Sequence, residues 1–440
     1  MQKDTIKLLK NFKIPMRKSM DNSGKILVDY YGIHKVTSRN EILNFLSTQD
    51  EKALKSCCNM IDQLSKNVSF NNAIKDEALL IYDNMKMDDF LEELEDKKIV
   101  KDIITQTFLI NTGLQSTDVS ALFFLAYCNS TQGILNQFHK CTDGLYQFQI
   151  DGGAEHLRSK LIELIGEESI VKVPAVTHIS WDETSVGIKT SKEYFFAERA
   201  IYTLNAADTE NIKFTPHLSS SKKAIYGSSV RGVLKKFGVI YENPFWINKD
   251  LCGDVYVMDT LGNNGPIKIC LNISQMENEK YVLIGLAHKD SKRFEILEQL
   301  SIYFGQEATE PKYYAENQNS FLDLSFPSGF VSLKHFEDLR TPLGRIIWSS
   351  PETADRWYGC LAGSIDAGFK GAVDLLSDIR PHSFAFEDSQ LMQPNFVEIP
   401  PRRLGLFGFH WHSIIPTVIL AIFVIFKLRK YGKRILLKYV

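Results

Sequence analysis

Glycine is scarce where a nucleotide-binding turn would need it. Of the 26 glycines only Gly24 and Gly32 precede Gly113, and no G-x-G-x-x-G occurs anywhere in the chain. That excludes a dinucleotide seat of the strand–turn–helix kind, in which glycines let the backbone approach a pyrophosphate. An excess of one charge is missing too. With 51 Lys plus Arg against 53 Asp plus Glu, the net charge of -2 gives no general reason to expect nucleic acid or a strongly charged partner. The seven cysteines are odd in number, widely scattered and never in C-x-x-C spacing, which argues against a disulfide framework or a zinc site and for reduced thiols. The opening MQKDTIKLLKNFKIPMRK lacks the apolar core of a secretory signal.

What is present is ample apolar material, 44% of the residues, enough for a sizeable core and two to three domains. Leu404 to Phe426 contains no Lys, Arg, Asp or Glu. As a helix it spans roughly 34 Å, against about 30 Å of bilayer hydrocarbon. It is expected to cross a membrane as a tail anchor, with Trp411 at the interface and Lys427, Arg429, Lys430, Lys433, Arg434 and Lys438 as a basic flank in residues 427–440. Its first half, Leu404 to Ser413, is weaker, and an interfacial or partner-bound helix is the competing reading. Pro394, Pro400 and Pro401 mark residues 381–403 as a linker.

Between the ends, Met87 to Gly113 and Ser116 to Cys128 carry apolar residues at helical spacing, the second with Thr117 and Asp118 at its expected start. VKVPAVTHISW, TSVGIKTS and KEYFFAERAIYTL read as strands with turns at Asp182-Glu183 and Ser191-Lys192. GVLKKFGVIYENPFW, VYVMD, IKICLNI and YVLIGLA read as further, largely antiparallel strands, Ser291 to Phe304 as a helix, and GRIIWSS as a short buried strand. After it, Gly359, Gly363, Ala367 and Gly371 fall four apart, one face of an expected helix capped by Thr353 or Asp355. Glycines in a helix cost roughly 1 kcal/mol each relative to alanine, so that bare face needs either close packing or a flat ligand to explain it. The mixture of elements indicates an α/β plus α+β protein of two domains.

Eight blocks carry a resemblance in order: YDNMKMDDFLEEL (82–94), STDVSALFFLAY (116–127), GGAEHLRSKLIELIG (152–166), VPAVTHI (173–179), ENPFWINKDLCG (242–253), LAHKDSKR (286–293), FPSG (326–329) and SSPETADRWYGCLAGSIDAG (349–368). Together they resemble the flavin-containing monoamine oxidases over nearly the whole chain. The resemblance implies the two-domain fold of FAD-linked amine oxidases, with an incomplete Rossmann-type FAD domain, an antiparallel-sheet substrate domain and a C-terminal transmembrane helix. On that basis residues 1–75 are a remnant of the domain start, 76–175 the helical part of the substrate domain and 176–230 FAD-domain strands. Residues 231–342 are the substrate-domain sheet, 343–380 the last FAD-domain strand and helix, and 404–426 the anchor.

The implied chemistry is oxidation of a small amine to an imine and then an aldehyde, with O2 reduced to hydrogen peroxide. Lys236 stands where the family has a lysine that holds a water beside the flavin, and Lys235 is expected to point the other way. Val176, Glu352, Thr353, Trp357, Cys360 and Leu361 stand at FAD-contacting positions, and Tyr127, Tyr146, Ile284 and Leu322 at substrate-lining ones. The family also implies a homodimer and residence in the mitochondrial outer membrane facing the cytosol, with the endoplasmic reticulum as the alternative. No metal is implied.

The departures are concrete. Phe321 replaces the cysteine that bonds to the flavin, so any FAD would be non-covalent, and Leu322 and Cys360 replace two tyrosines that sandwich the amine. Pro351 offers no N–H. The missing βαβ unit and these internal changes leave open a catalytically inactive, membrane-tethered pseudoenzyme of the same fold, or a truncated gene product.

Overall fold

The computed structural model describes residues 3–18, 24–38, 43–70, 77–137, 148–227, 230, 232–259, 265–274, 279–317 and 338–380. Tyr146, Leu322, the FPSG block, the linker and the apolar tail lie outside the described residues. Among the described residues no helix is long and apolar enough to cross a membrane.

From the start, α1 (Lys3–Asn11) leads into β1 (Met16–Lys18), and β2 (Lys25–Tyr30) turns into β3 (Ile33–Thr37) through Tyr31 and Gly32, both at positive φ. Then comes a helical block of α2 (Thr48–Ser65), α3 (Met87–Leu94), α4 (Lys98–Thr112) and α5 (Ala121–Ser130). The last of these starts later than its sequence suggests. Ser120 is extended because it bridges to Lys86 on the neighbouring segment, and its hydroxyl then caps the helix by accepting from Phe123 N at 3.0 Å. Every residue of α5 except Asn129 is buried, which is why its sequence is apolar all round.

After β4 (Phe148–Ile150), which pairs with β1, and α6 (Gly153–Ile165), the chain makes a meander of β5 (Val176–Trp181), β6 (Val186–Thr190) and β7 (Tyr194–Ala197). Strand β8 (Ala200–Tyr202) leaves that sheet, α7 (Ala206–Thr209) follows, and β9 (Lys213–Thr215) returns parallel to β5 before α8 (Ser220–Gly227).

The largest sheet has the order β14-β10-β13-β12-β11-β2-β3, with β10 (Leu234–Tyr241), β11 (Leu251–Met258), β12 (Ile267–Asn272), β13 (Tyr281–His288) and β14 (Tyr313–Asn317). Helix α9 (Arg293–Phe304) lies against one face with Phe237, Val239, Val255, Leu283 and Ala287. The opposite face, carrying Ile26, Val28, Tyr256 and Ile269, packs with the helical block. Alternation along each strand thus gives two cores, one on either side of the sheet. All pairings in this sheet are antiparallel except β2 on β11, which runs parallel.

Finally β15 (Ile346–Trp348) pairs parallel with β8, and α10 (Leu361–Ile379) packs over the pair. The expected helix therefore begins after Gly359, which sits at a φ of 69° in the turn before it. Thr353 belongs to a separate 3-10 turn, Pro351–Thr353, and Asp355 to the loop that follows. Two left-handed residues, Trp357 and Gly359, break the chain direction between the turn and the helix, so the four-residue spacing crosses a boundary that periodicity does not register.

Candidate functional site

Two groupings of the expected site residues emerge. In the first, β10 pairs with β13 so that Lys236 faces Leu286 and Gly238 faces Ile284. Lys236 and Ile284 thereby share the sheet face turned toward the helical block, whereas Lys235 projects to the other side. Lys235 is 2% exposed, and its ammonium donates to Ser291 O at 2.6 Å and to the Glu316 carboxylate at 2.9 Å. Lys236 has an accessible side chain, yet desolvation by the surrounding protein lowers its pKa below the ordinary lysine value. Lys236 thus stands on the same face as its partner Leu286 and as Ile284.

The second grouping surrounds the loop from Pro351 to Cys360. Glu352 and Thr353 are buried in the 3-10 turn, whose Thr353 and Ala354 N–H groups bond back to Ser350 and Pro351 carbonyls. Trp357 is buried and donates its N–H to Ser130 O at 2.9 Å, tying the loop to the end of α5, one turn beyond Tyr127. Tyr127 is fully buried, with its ring edge-on to Phe108 at 5.7 Å. Beside it Tyr358 stacks on Phe70 at 4.2 Å and meets Phe123 edge-on at 5.8 Å. Tyr358 lies within the motif-bearing stretch, but its anchoring role depends on ring partners far away in sequence.

Val176 opens β5, partly buried against the larger core. Cys360 is the N-cap of α10, half-buried, and burial pushes its thiol up to about 11. Leu361, the first residue of the helix, is 38% exposed.

The donors present bear on whether a flavin fits here. Cys360 makes no side-chain bond to the first turn of α10, the positive end of a 19-residue helix. A Cβ at Gly368 would meet nothing within 4 Å, whereas at Gly363 it would lie 2.3 Å from the Trp357 carbonyl oxygen, and at Gly371 it would lie 2.8 Å from the Ser349 side chain. Close packing of the helix on its own chain thus accounts for Gly363 and Gly371, and the open space lies at Gly368. The N-terminus of α10, whose N-cap side chain makes no bond to it, follows directly on buried Glu352, Thr353 and Trp357 and fits the electron-rich edge of a flat heterocycle such as the flavin ring. The pyrophosphate end has no matching glycine turn in the sequence, and Pro351 contributes no donor.

Comparison with known proteins agrees with this architecture. The family described as flavin containing amine oxidoreductase matches residues 1–376. Amine oxidase [flavin-containing] A of Equus caballus is 26% identical over 357 residues, 77% of this chain and 66% of its own length, so this chain spans just under two thirds of that relative. The probable flavin-containing monoamine oxidase A of Dictyostelium discoideum is 23% identical over 376 residues, 80% of each chain. Among solved structures, cyclohexylamine oxidase from Brevibacterium oxydans IH-35A superimposes with a TM-score of 0.76 over 86% of each chain at 19% identity, a likeness of fold.

Proposed function

The chain belongs to the flavin containing amine oxidoreductases, and from that premise we propose that it oxidises a small-molecule amine to an imine, which hydrolyses to the aldehyde, with O2 reduced to hydrogen peroxide. The observation that carries the proposal is the placement of Lys236 on the sheet face shared with Ile284, turned away from the Lys235–Glu316 ion pair. Desolvation by the surrounding protein lowers its pKa. A lysine held in that state is poised to hold and orient a water or accept a proton.

FAD, when bound, supplies the two-electron acceptor for this chemistry. Glu352, Thr353, Trp357, Cys360, Leu361 and Val176 are the residues that would hold it. Binding is non-covalent, because no cysteine lies between Cys270 and Cys360. Ile284 contributes apolar surface that excludes water from the amine, as do Tyr146 and Leu322 in this reading, whereas Tyr127, fully buried in the helical core, presents no surface and supports the site from behind. Residues 404–426 anchor the protein in the mitochondrial outer membrane or the endoplasmic reticulum, and the protein works as a homodimer.

Purified protein should bind FAD and release peroxide with a responsive amine. Lys236→Met should retain flavin and lose about 10²-fold in turnover. Equal turnover in wild type and variant, or no peroxide across a panel of monoamines and polyamines, defeats the proposal. One observation favours a second reading, a silent pseudoenzyme: Cys360 offers no aromatic face to an amine, and its thiol stays protonated at neutral pH. In that case Lys236→Met is without cellular effect and removal of 404–440 is not.

A further inference from the structure

Residue 340 belongs to none of the groups above, yet it touches more of the Pro351–Cys360 stretch than any residue named so far. The Arg340 side chain donates through Nε to Thr353 O at 2.6 Å and through Nη2 to Ala354 O at 3.2 Å. Its Nη1 donates to Phe70 O, and Nη2 pairs with the Asp355 carboxylate at 2.8 Å. One planar fork thus gathers two carbonyls and a carboxylate of the stretch together with a carbonyl of the segment whose ring stacks on Tyr358. Asp355 is held from its other side by Lys370 of α10, which also reaches Asp366 at 3.2 Å.

The residues just before Arg340 are fastened in turn. Lys222 of α8 is 1% exposed and donates to Asp338 O at 2.7 Å and Leu339 O at 2.9 Å, with its ammonium 4.4 Å from the centre of the Trp348 ring.

We propose that Arg340 is a positioning residue: its guanidinium, braced by Lys222 through residues 338–339, sets the place of Glu352, Thr353 and Trp357. The inference deepens the flavin reading of that stretch and rests on it for its consequence. The geometric reason is that a 3-10 turn followed by two left-handed residues is bonded internally mostly through its N–H groups, which leaves the Thr353 and Ala354 carbonyls to be held from outside. Carbonyls at the end of the turn would otherwise look for water, and the fork supplies donors from one rigid plane. Lysine presents a point charge and cannot serve these acceptors together.

The test compares wild type, Arg340→Gln and Arg340→Lys by amide hydrogen exchange and by FAD titration followed through quenching of flavin fluorescence. In Arg340→Gln, exchange of peptides covering 351–360 should quicken at least about tenfold while α9 and β10 to β13 keep wild-type protection, and the FAD dissociation constant should rise at least about tenfold. Arg340→Lys should fall between, and Lys222→Met should loosen 338–340 and, less strongly, 351–360. Unchanged exchange in 351–360, loss of protection spread evenly over α9 and the sheet, or wild-type FAD affinity in Arg340→Gln would each overturn the assignment. Local loosening in a protein whose wild type binds no FAD upholds the positioning role and refutes the flavin reading instead.

Discussion

Alanine at Gly363 and at Gly368 should move stability in opposite directions, although the two glycines lie five residues apart in α10. At Gly368 the new Cβ meets nothing within 4 Å and the backbone is helical, so only the backbone entropy term operates. That term stabilises by about 0.5–1 kcal/mol. At Gly363 the same term is present, but the Cβ would lie 2.3 Å from the Trp357 carbonyl oxygen, 3.0 Å from its carbon and 3.1 Å from the Ala354 Cβ. Backbone atoms cannot swing aside as a flexible side chain can, so the start of α10 must part from the Trp357 turn. Such overpacking costs about 1–3 kcal/mol, which outweighs the entropy gain. Trp357 would also be drawn from Ser130, whose carbonyl accepts its N–H at 2.9 Å. Urea denaturation of both variants beside wild type, followed by circular dichroism, measures the difference directly. Gly363→Ala should have the lower midpoint and Gly368→Ala a midpoint at or above wild type. Equal midpoints would refute the claim that α10 is pressed against the turn.

Further outcomes follow from buried titratable groups and rings. Burial lowers Lys222 to about 7, far below its unfolded value, so above pH 7 the unfolded chain binds more protons than the folded one and stability contributed here rises with pH toward 10. Wild type should therefore gain on Lys222→Met in thermal stability as pH climbs from 7 to 10, and a difference that shrinks over that range contradicts the burial. The Cys360 thiol, pushed up to about 11, should react with iodoacetamide at pH 8 roughly 10²-fold more slowly than a free cysteine, as read by peptide mass spectrometry. Tyr358→Ala, which removes a fully buried ring stacked on Phe70, should cost about 3–5 kcal/mol in the same urea assay, and a loss under 1 kcal/mol would show the stack to be dispensable.

Much of the large sheet was legible because its strands are short runs rich in β-branched and aromatic residues joined by short connections, even where β11 and β12, buried on both faces, do not alternate. The Lys235–Lys236 pair is the clearest case: period two alone turns the two ammonium groups to opposite faces, although the Glu316 partner of Lys235 is visible only in the structure. Strand β3 escaped because it exposes four of its five residues, with Ile33 at 59% and Val36 at 54%, and β2 because its buried run of four residues shows no alternation. The start of α10 was misplaced for a different reason. Helical spacing continues through Gly359, and only the left-handed turn shows that it belongs outside the helix. Arg340 was beyond reach of pattern altogether, since one of its acceptors, Phe70, lies 270 positions away in sequence.

The parallel pairing of β2 with β11 imposes an order on synthesis. Leu27 faces Val255, and Ile26 and Val28, both fully buried in the finished sheet, have no β11 to lie against until that strand has been made. At about 5–20 residues per second, a ribosome needs roughly 11–46 s between the two. During that interval the hairpin of β2 and β3 keeps an open edge on the side where β11 must later pair.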